Sequence, residues 1–486
     1  MRAIAYNKTS KIIVFCIGIL AGVGLAYFVS VSSLIIAVLS SVGFLALLLR
    51  VKLISLIALG ITVGLLRGAA FTKQIDPLYD VIGQKVTVQA KVDSPSSYGD
   101  KKQLEFDVTH VKLLQPYQAD LPIKMQISGF GENTILRGDV ITATGKLYKR
   151  RGSKQAGISF AQIAVVSHDT SPLQQVRRNF LAGMTTAIPE PHDQFAIGLL
   201  VGQKSDLPKY VVDTLQIVGL SHIIAVSGYN LTILVDVSKK RFSKGSKLRG
   251  TLLSCTLLLL FVAMVGSSAS IQRAALVSLL TIAAAHYGRS IKPLVLITFA
   301  AAITVILNPL SIWSDVGWYL SFLAFFGVLV ISPVMQKRLY KDKEPSLLSK
   351  LSIETFCAQL MTLPIMLLLF SQLSLISLVS NIMVVPFVPL AMLSSFIAGI
   401  AGMVVPFLAP IIALPAVWIL TYMLDVATLL SRIPHASIQT KISLPITVVI
   451  YSAIIAMLIV MQRSVHGKMK VTNRDNYVGT QQMVNN

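Results

Sequence analysis

Residues 12–29 read IIVFCIGILAGVGLAYFV, eighteen positions without a charge or a proline. At about 1.5 Å of rise per residue, a helix of this length crosses most of a hydrocarbon core roughly 30 Å thick. Taken alone the run is ambiguous, because Arg2, Lys8 and Lys11 before it also suit a secretory signal. A second apolar run, Leu34 to Leu49, follows within a few residues, and no good A-x-A site separates the two. An uncleaved helical hairpin is therefore expected. Arg50 and Lys52 close it, and Leu53 to Leu66 returns as a third span. Further apolar segments occupy about 220–236, 250–266, 270–287, 293–308, 316–333, 352–372, 375–404, 407–431 and 442–462. The fold class expected is a polytopic α-helical membrane protein of about 12 spans, some of them broken or re-entrant. Pro386 and Pro389 leave 375–404 open between one long span and two half-helices.

Composition agrees with that reading. Of 486 residues, 54% are hydrophobic and only 13% charged, with a mean hydropathy of +0.71. Soluble chains carry roughly 25% charge and disordered ones have low hydrophobicity, so both classes are excluded. The net charge of +22 suggests a nucleic-acid partner until the basic residues are located. Twenty-two of the 43 lie in residues 2–11, 50–52, 239–249, 289–292 and 337–350 and in the tail from Arg463, with only Asp342, Glu344 and Asp475 as acids among them. That asymmetry is the positive-inside rule and puts these segments, with both termini, in the cytoplasm. Cys16, Cys255 and Cys357 all sit in apolar runs without ligand spacing, so neither a disulfide framework nor a metal site is expected.

Between about residues 72 and 170 the pattern changes to alternation. It runs through Val86, Val88, Ala90 and Val92, then Leu104, Phe106 and Val108, then Ile123, Met125 and Ile127, with strand-like runs at Val140–Leu147 and Ile158–Val166. Five strands in a hundred residues match a small closed barrel of the OB-fold size. Three preceding spans place it outside the cytoplasm. Within it Lys146, Lys149, Arg150, Arg151 and Lys154 carry five positive charges without an acid, beside Tyr148. Such a run solvates a hairpin edge or forms a footprint for a polyanion with Tyr148 available for stacking. The barrel as a whole is only +3, so any footprint is local.

The domains expected are thus 1–71, N-terminal transmembrane helices; 72–170, the β domain; 171–219, interfacial or re-entrant helices; 220–465, the main membrane domain; and 466–486, a polar cytoplasmic tail. Pro172 to Ala187 reads as an amphipathic helix at the lipid interface, with Arg177 and Arg178 on its polar side. No G-x-x-x-x-G-K-[ST] loop, zinc motif or nucleophile elbow is present, so no catalytic, metal or cofactor site is expected.

Two stretches carry polar groups into apolar surroundings. In Gly219-Leu220-Ser221-His222 through Ala225-Val226-Ser227-Gly228-Tyr229-Asn230, a Ser-Gly break is flanked by His222 and Asn230. A break of this kind frees backbone N–H groups to face an anion, or it is a capped helix start with Gly228 for close packing. In Gln272-Arg273-Ala274 an arginine enters a span by about one turn. It faces a substrate path, snorkels to the outer headgroups, or pairs with Asp315 at the neighbouring outer boundary. Asn308-Pro309 and Ser321 are weaker candidates, suited also to a turn and to packing.

Together with Gly198-Leu199-Leu200-Val201-Gly202, Gly317-Trp318-Tyr319-Leu320-Ser321-Phe322, Thr362-Leu363-Pro364 and Asn381, these motifs make the chain resemble the ComEC family of competence proteins. Leu136-Arg137-Gly138-Asp139-Val140 with Gly145-Lys146-Leu147 is similar to that family's OB-fold module. The resemblance implies a channel in the bacterial cytoplasmic membrane that conducts single-stranded DNA during natural transformation. His222, Ser227, Gly228, Asn230, Gln272, Arg273, Asn308 and Ser321 would then line its path. It also implies an outer DNA receptor, a cytoplasmic motor ATPase and a separate nuclease as partners, besides membrane lipids. Asn230 stands where the family pattern usually has histidine. No H-x-H-x-D-H follows, so the form expected lacks the metallo-β-lactamase-like domain of many relatives. The competing classes are a small-solute transporter or membrane-embedded enzyme, using the same broken helices for a compact ligand, and a membrane scaffold.

Overall fold

The helix Lys52–Asp80 is long and apolar enough to cross a membrane, and its second half joins the core of the β domain. Its first half is mostly apolar, while Phe71, Ile75 and Leu78 form a stripe of turn-by-turn spacing on the second half. The computed structural model describes residues 8–28, 38, 39, 41, 43, 51–94, 97–98, 103–131, 135–150, 154–202, 207–224, 247–265, 269–289, 292–340, 343, 345–458 and 460. Residues 72–80, expected at the start of the β domain, are helical because that stripe needs the barrel core to cover it. The membrane half packs along Gly60 and Gly64 against Gly18 and Gly22 of the helix Lys8–Ala26. These are two small-xxx-small pairs that let helix backbones touch.

Seven strands follow: β1 (Lys85–Val92), β2 (Ser97–Tyr98), β3 (Leu104–Gln115), β4 (Ala119–Leu121), β5 (Met125–Gly131), β6 (Val140–Lys149) and β7 (Ala156–Ser167). Five close on themselves in the order β1-β6-β7-β5-β3, with β3 pairing back to β1; among the described strands only β5 and β7 run parallel. The alternating residues point inward, from Val86, Val88, Ala90 and Val92 through Ile141, Ala143 and Leu147 to Ile158, all within one core that also holds Phe71, Ile75 and Leu78. At about 1.5–3 kcal/mol for each large aliphatic side chain fully buried, this core carries the domain. Alternation in β3 is broken at His110, whose φ is 51°. Leu104, Phe106 and Val108 face inward before it, Val111 and Leu113 after it. The strand therefore outlasts the simple period-2 pattern that ends at Val108.

Among the described residues six helices are long and apolar enough to cross a membrane: Thr9–Ala26, Lys52–Asp80, Val316–Tyr340, Leu348–Leu369, Ser377–Val404 and Leu414–Ser431. Shorter apolar helices are Pro293–Leu307 and Leu444–Leu458. The helices Lys247–Val265 and Ala269–His286 lie between these groups in sequence. Most of the expected spans at 34–49 and 220–236 falls outside the described residues. The open question at 375–404 resolves into Ser377–Val384, a 3-10 turn at Val385–Phe387 and Val388–Val404. Pro386 and Pro389 supply no N–H there, so the ladder tightens without ending.

The chain divides into two compact units. One holds residues 1–213, 221–319 and 386–425, and so the barrel with the first helices. The other holds 214–220, 320–385 and 426–486, including a small antiparallel pair, β8 (Gln372–Ser374) with β9 (Ser437–Gln439).

In the first unit the helix Pro172–Ala187 docks on Val388–Val404 at a glycine contact, Gly183 against Gly399 and Gly402. Its buried stripe is Arg177, Phe180, Met184 and Ala187. This corrects the expectation for Arg177: helical phase puts it in line with Phe180 and Met184, and it is 5% exposed rather than on the polar side. Arg178, one residue on, does lie nearer the surface and donates to the Asp169 carbonyl at 2.9 Å.

Candidate functional site

Arg273 is the fifth residue of the helix Ala269–His286 and is 5% exposed. A guanidinium in that position needs partners, and the following turn segment supplies them. Its Nη1 lies 3.3 Å from Asp315 Oδ2, and its Nη2 donates to the Gly317 carbonyl at 3.0 Å. The Nε has no partner among the described residues. The pairing with Asp315 anticipated as one reading of the sequence is therefore present.

The motifs around Asp315 explain why it is held there. Asn308 ends the helix Pro293–Leu307, and its Oδ1 accepts from the Leu310 N–H at 3.2 Å. Asp315 N–H returns to the Leu310 carbonyl, Trp318 Nε1 donates to Thr304 Oγ1 at 2.9 Å, and Tyr319 Oη donates to the Ile312 carbonyl at 2.5 Å. Trp313 Nε1 ties the same turn to Val23 of the first helix at 2.8 Å. At Gly317 a Cβ would stand 3.2 Å from Asp315 Oδ1 and 3.6 Å from Arg273 Nη2, so a side chain there would crowd the ion pair. Asn308, Gly317, Trp318 and Tyr319 are thus positioning residues for one buried pair. Thr304 holds Trp318 from the preceding helix. The signal for Asp315 in the sequence was its isolation as an acid among apolar segments.

Gln272 faces outward next to Arg273, as the 100° step between successive helical residues requires. His222 lies on the short helix Ser221–Ile224 and is exposed. Ser321 is half-buried on Val316–Phe326. Ser227, Gly228 and Asn230 lie outside the described residues.

The second unit contains a polar cluster that the spacing of single motifs did not reveal. Ser377 and Ser380 on one face of Ser377–Val384, with Asn381 beside them, meet the end of the helix Lys209–Ile217. Ser380 Oγ donates to the Val218 carbonyl at 2.6 Å, Ser377 Oγ to the Ser374 carbonyl at 2.8 Å, and Gln359 Nε2 donates to Ser377 Oγ. Gln216 Nε2 reaches Gln372 Oε1 at 2.7 Å. Asn381 is 5% exposed and its Oδ1 has no partner among the described residues. Every group here is neutral, giving donors and acceptors without fixed charge.

On the barrel, the basic run is only partly free. Lys154 Nζ lies 2.5 Å from Asp107 Oδ1 and 3.3 Å from Gln126 Oε1. Lys149 Nζ sits 5.1 Å over the Tyr79 ring. Lys146 and Tyr148 alternate onto the outer face of β6, and Arg150, just past its end, lies 6.0 Å over the Tyr148 ring. Tyr148 lies across Gly157, so one side of its ring is already covered. Arg151 lies outside the described residues. Among the described residues of the run, Lys146 and Lys149 are exposed, and Tyr148 and Arg150 are half-buried.

A family model described as "Competence protein" matches residues 199–464, more than half of the chain and, apart from Val23, every residue of both constellations above. ComE operon protein 3 of Bacillus subtilis (strain 168) is 25% identical over 202 residues. The match covers 41% of this chain and 25% of that protein, so the chain spans about a quarter of the relative's length. No solved structure matches.

Proposed function

Since the chain belongs to the competence protein family, we propose that it carries single-stranded DNA across the bacterial cytoplasmic membrane during natural transformation. The observation that carries this reading is the family match over 199–464, within which a membrane protein keeps one paired arginine and a cluster of neutral hydrogen-bonding groups. A polyanion crossing hydrocarbon needs a wet path lined by donors. It must also leave again, which favours neutral groups and a charge already balanced over a ring of free cations. Arg273, restrained by Asp315 and Gly317, and the Ser377–Asn381 cluster suit that requirement. Gly219 through Asn230, with His222, Ser227, Gly228 and Asn230, and Gln272 beside Arg273 make up the rest of the path in this reading.

The barrel is extracytoplasmic and of the OB type in this proposal. Five closed strands with a single parallel pair, β5 with β7, support it. Lys146, Tyr148 and Arg150 make a weak first contact with the incoming strand, and the chain has about twelve spans with both termini in the cytoplasm. An outer receptor delivers the DNA, a cytoplasmic motor ATPase pulls it, and a separate nuclease removes the other strand. No catalytic step is assigned to this chain. The test is a clean deletion: labelled DNA should still bind the cell surface and no longer reach the cytoplasm. Normal transformation in the deletion strain would overturn the proposal.

A further inference from the structure

The strand β7 carries one residue more than its neighbours can pair. Across β6, Ser159 pairs with Lys146 and Gln162 with Thr144, so Gly145 alone faces Phe160 and Ala161. Across β5, Ile158 pairs with Ile127 and Ala161 with Gly129, so Ser128 alone faces Ser159 and Phe160. Phe160 is thus the extra residue of a bulge with a paired strand on each side. Its φ is 52°, a left-handed backbone conformation that a bulky L side chain rarely adopts. Both neighbouring strands make room with glycine. A Cβ on Gly129 would stand 2.1 Å from the Ala161 carbonyl oxygen, and one on Gly145 3.0 Å from that of Ser159. The result is a phenylalanine turned outward and 74% exposed, while Ile158 before it and Ala161 after it stay inside.

A strained backbone that displays an apolar ring to water points to a ligand for that ring. The outer face around it indicates which. Phe130 on β5 is also exposed, at 55%, and stands opposite Gln162. By alternation Ser128, Thr144, Ser159 and Gln162 share this face and frame the rings with neutral hydrogen-bonding groups. Lys146, opposite Ser159, is exposed beside them. We propose that Phe160 and Phe130 form a base-stacking platform for single-stranded DNA on the outer face of β5 and β7, with Lys146 set for the phosphate backbone. This deepens the transport reading and rests on it. Every base has a π-face, so exposed rings hold a strand whatever its sequence, and a nearby cation adds the backbone contact. A neutral polar frame with a cation suits bases and phosphates, whereas a lipid surface would meet apolar neighbours there.

The test uses the full chain in phosphatidylcholine nanodiscs with two fluorescent strands of about 12 nucleotides, a length within the reach of one such barrel. One is oligothymidylate, the other an abasic strand of equal length and charge. Wild type should bind oligothymidylate at least about fivefold more tightly, the least that one stacked base contributes. Phe160→Gly should lose most of that preference and keep its affinity for the abasic strand. Its thermal midpoint should not fall, since glycine adopts a φ of 52° without strain. Phe160→Tyr should keep the preference and Phe130→Ala should reduce it, while Lys146→Gln should weaken both strands alike. Equal preference in wild type and Phe160→Gly overturns the proposal, as does a wild type that binds both strands equally. Loss of both affinities together in Phe160→Gly assigns the ring to the fold rather than to stacking and overturns it too. Base preference is read in vitro and transport in the deletion strain, so the two readings can fail separately.

Discussion

Substituting Asp315 by alanine tests whether the Arg273 pair holds the surrounding helices together or serves the proposed DNA path. In the structure both partners are nearly closed to solvent, with side-chain exposures of 5% for Arg273 and 10% for Asp315. Among the described residues, losing the carboxylate leaves the guanidinium with the Gly317 carbonyl alone. Breaking a buried pair on one side costs about 3–5 kcal/mol, and replacing both partners with apolar groups is often neutral. Asp315→Ala should therefore reduce folded protein in the membrane severely, and Arg273→Ala should do so by a similar amount. Arg273→Met with Asp315→Leu should recover much of the abundance, a coupling of roughly 1–3 kcal/mol between contacting sites. Abundance by immunoblot, thermal midpoint in detergent and labelled-DNA uptake per folded molecule are measured on the four proteins. If Asp315→Ala accumulates normally, the pair carries no stability and the energetic argument fails. If the double variant accumulates and takes up DNA at the wild-type rate per molecule, Arg273 leaves the proposed path.

Two further outcomes follow from the packing. Gly402→Val should separate the helix Pro172–Ala187 from Val388–Val404, because a Cβ at 402 would stand 2.0 Å from the Gly183 carbonyl oxygen; protease sensitivity within Pro172–Ala187 should rise, and unchanged cleavage refutes the contact. On the barrel, Lys146→Glu with Arg150→Glu should weaken DNA crosslinking in the full chain and flatten its salt dependence by about 0.7 in log–log slope per lost phosphate contact. Lys154→Gln should instead leave crosslinking unchanged and lower barrel stability, since Lys154 is spent on Asp107.

The sequence alone determined the features that depend on local period and composition. Runs of bilayer length must be helices because no other open structure satisfies its backbone in lipid. Strict alternation in Val86–Val92 and Val140–Leu147 must be strands with one covered face, and both are found so. The Arg273–Asp315 alternative was legible because two opposite charges in apolar segments have few other partners. What only the tertiary structure decided are relations between distant residues.

Barrel closure joins β1 to β3 and β6, and a bulge at His110 hid the inward face of Val111 and Leu113 from any period-2 reading. The sharing of one neutral cluster by Gln216, Gln359, Ser377 and Ser380 needs segments more than a hundred residues apart in sequence to meet. Arg177 is the clearest case. Composition marks an arginine as a surface residue, yet the phase of its helix and the place of its neighbours put the charge inside. Burial is a property of what packs against a residue, and no local pattern contains that.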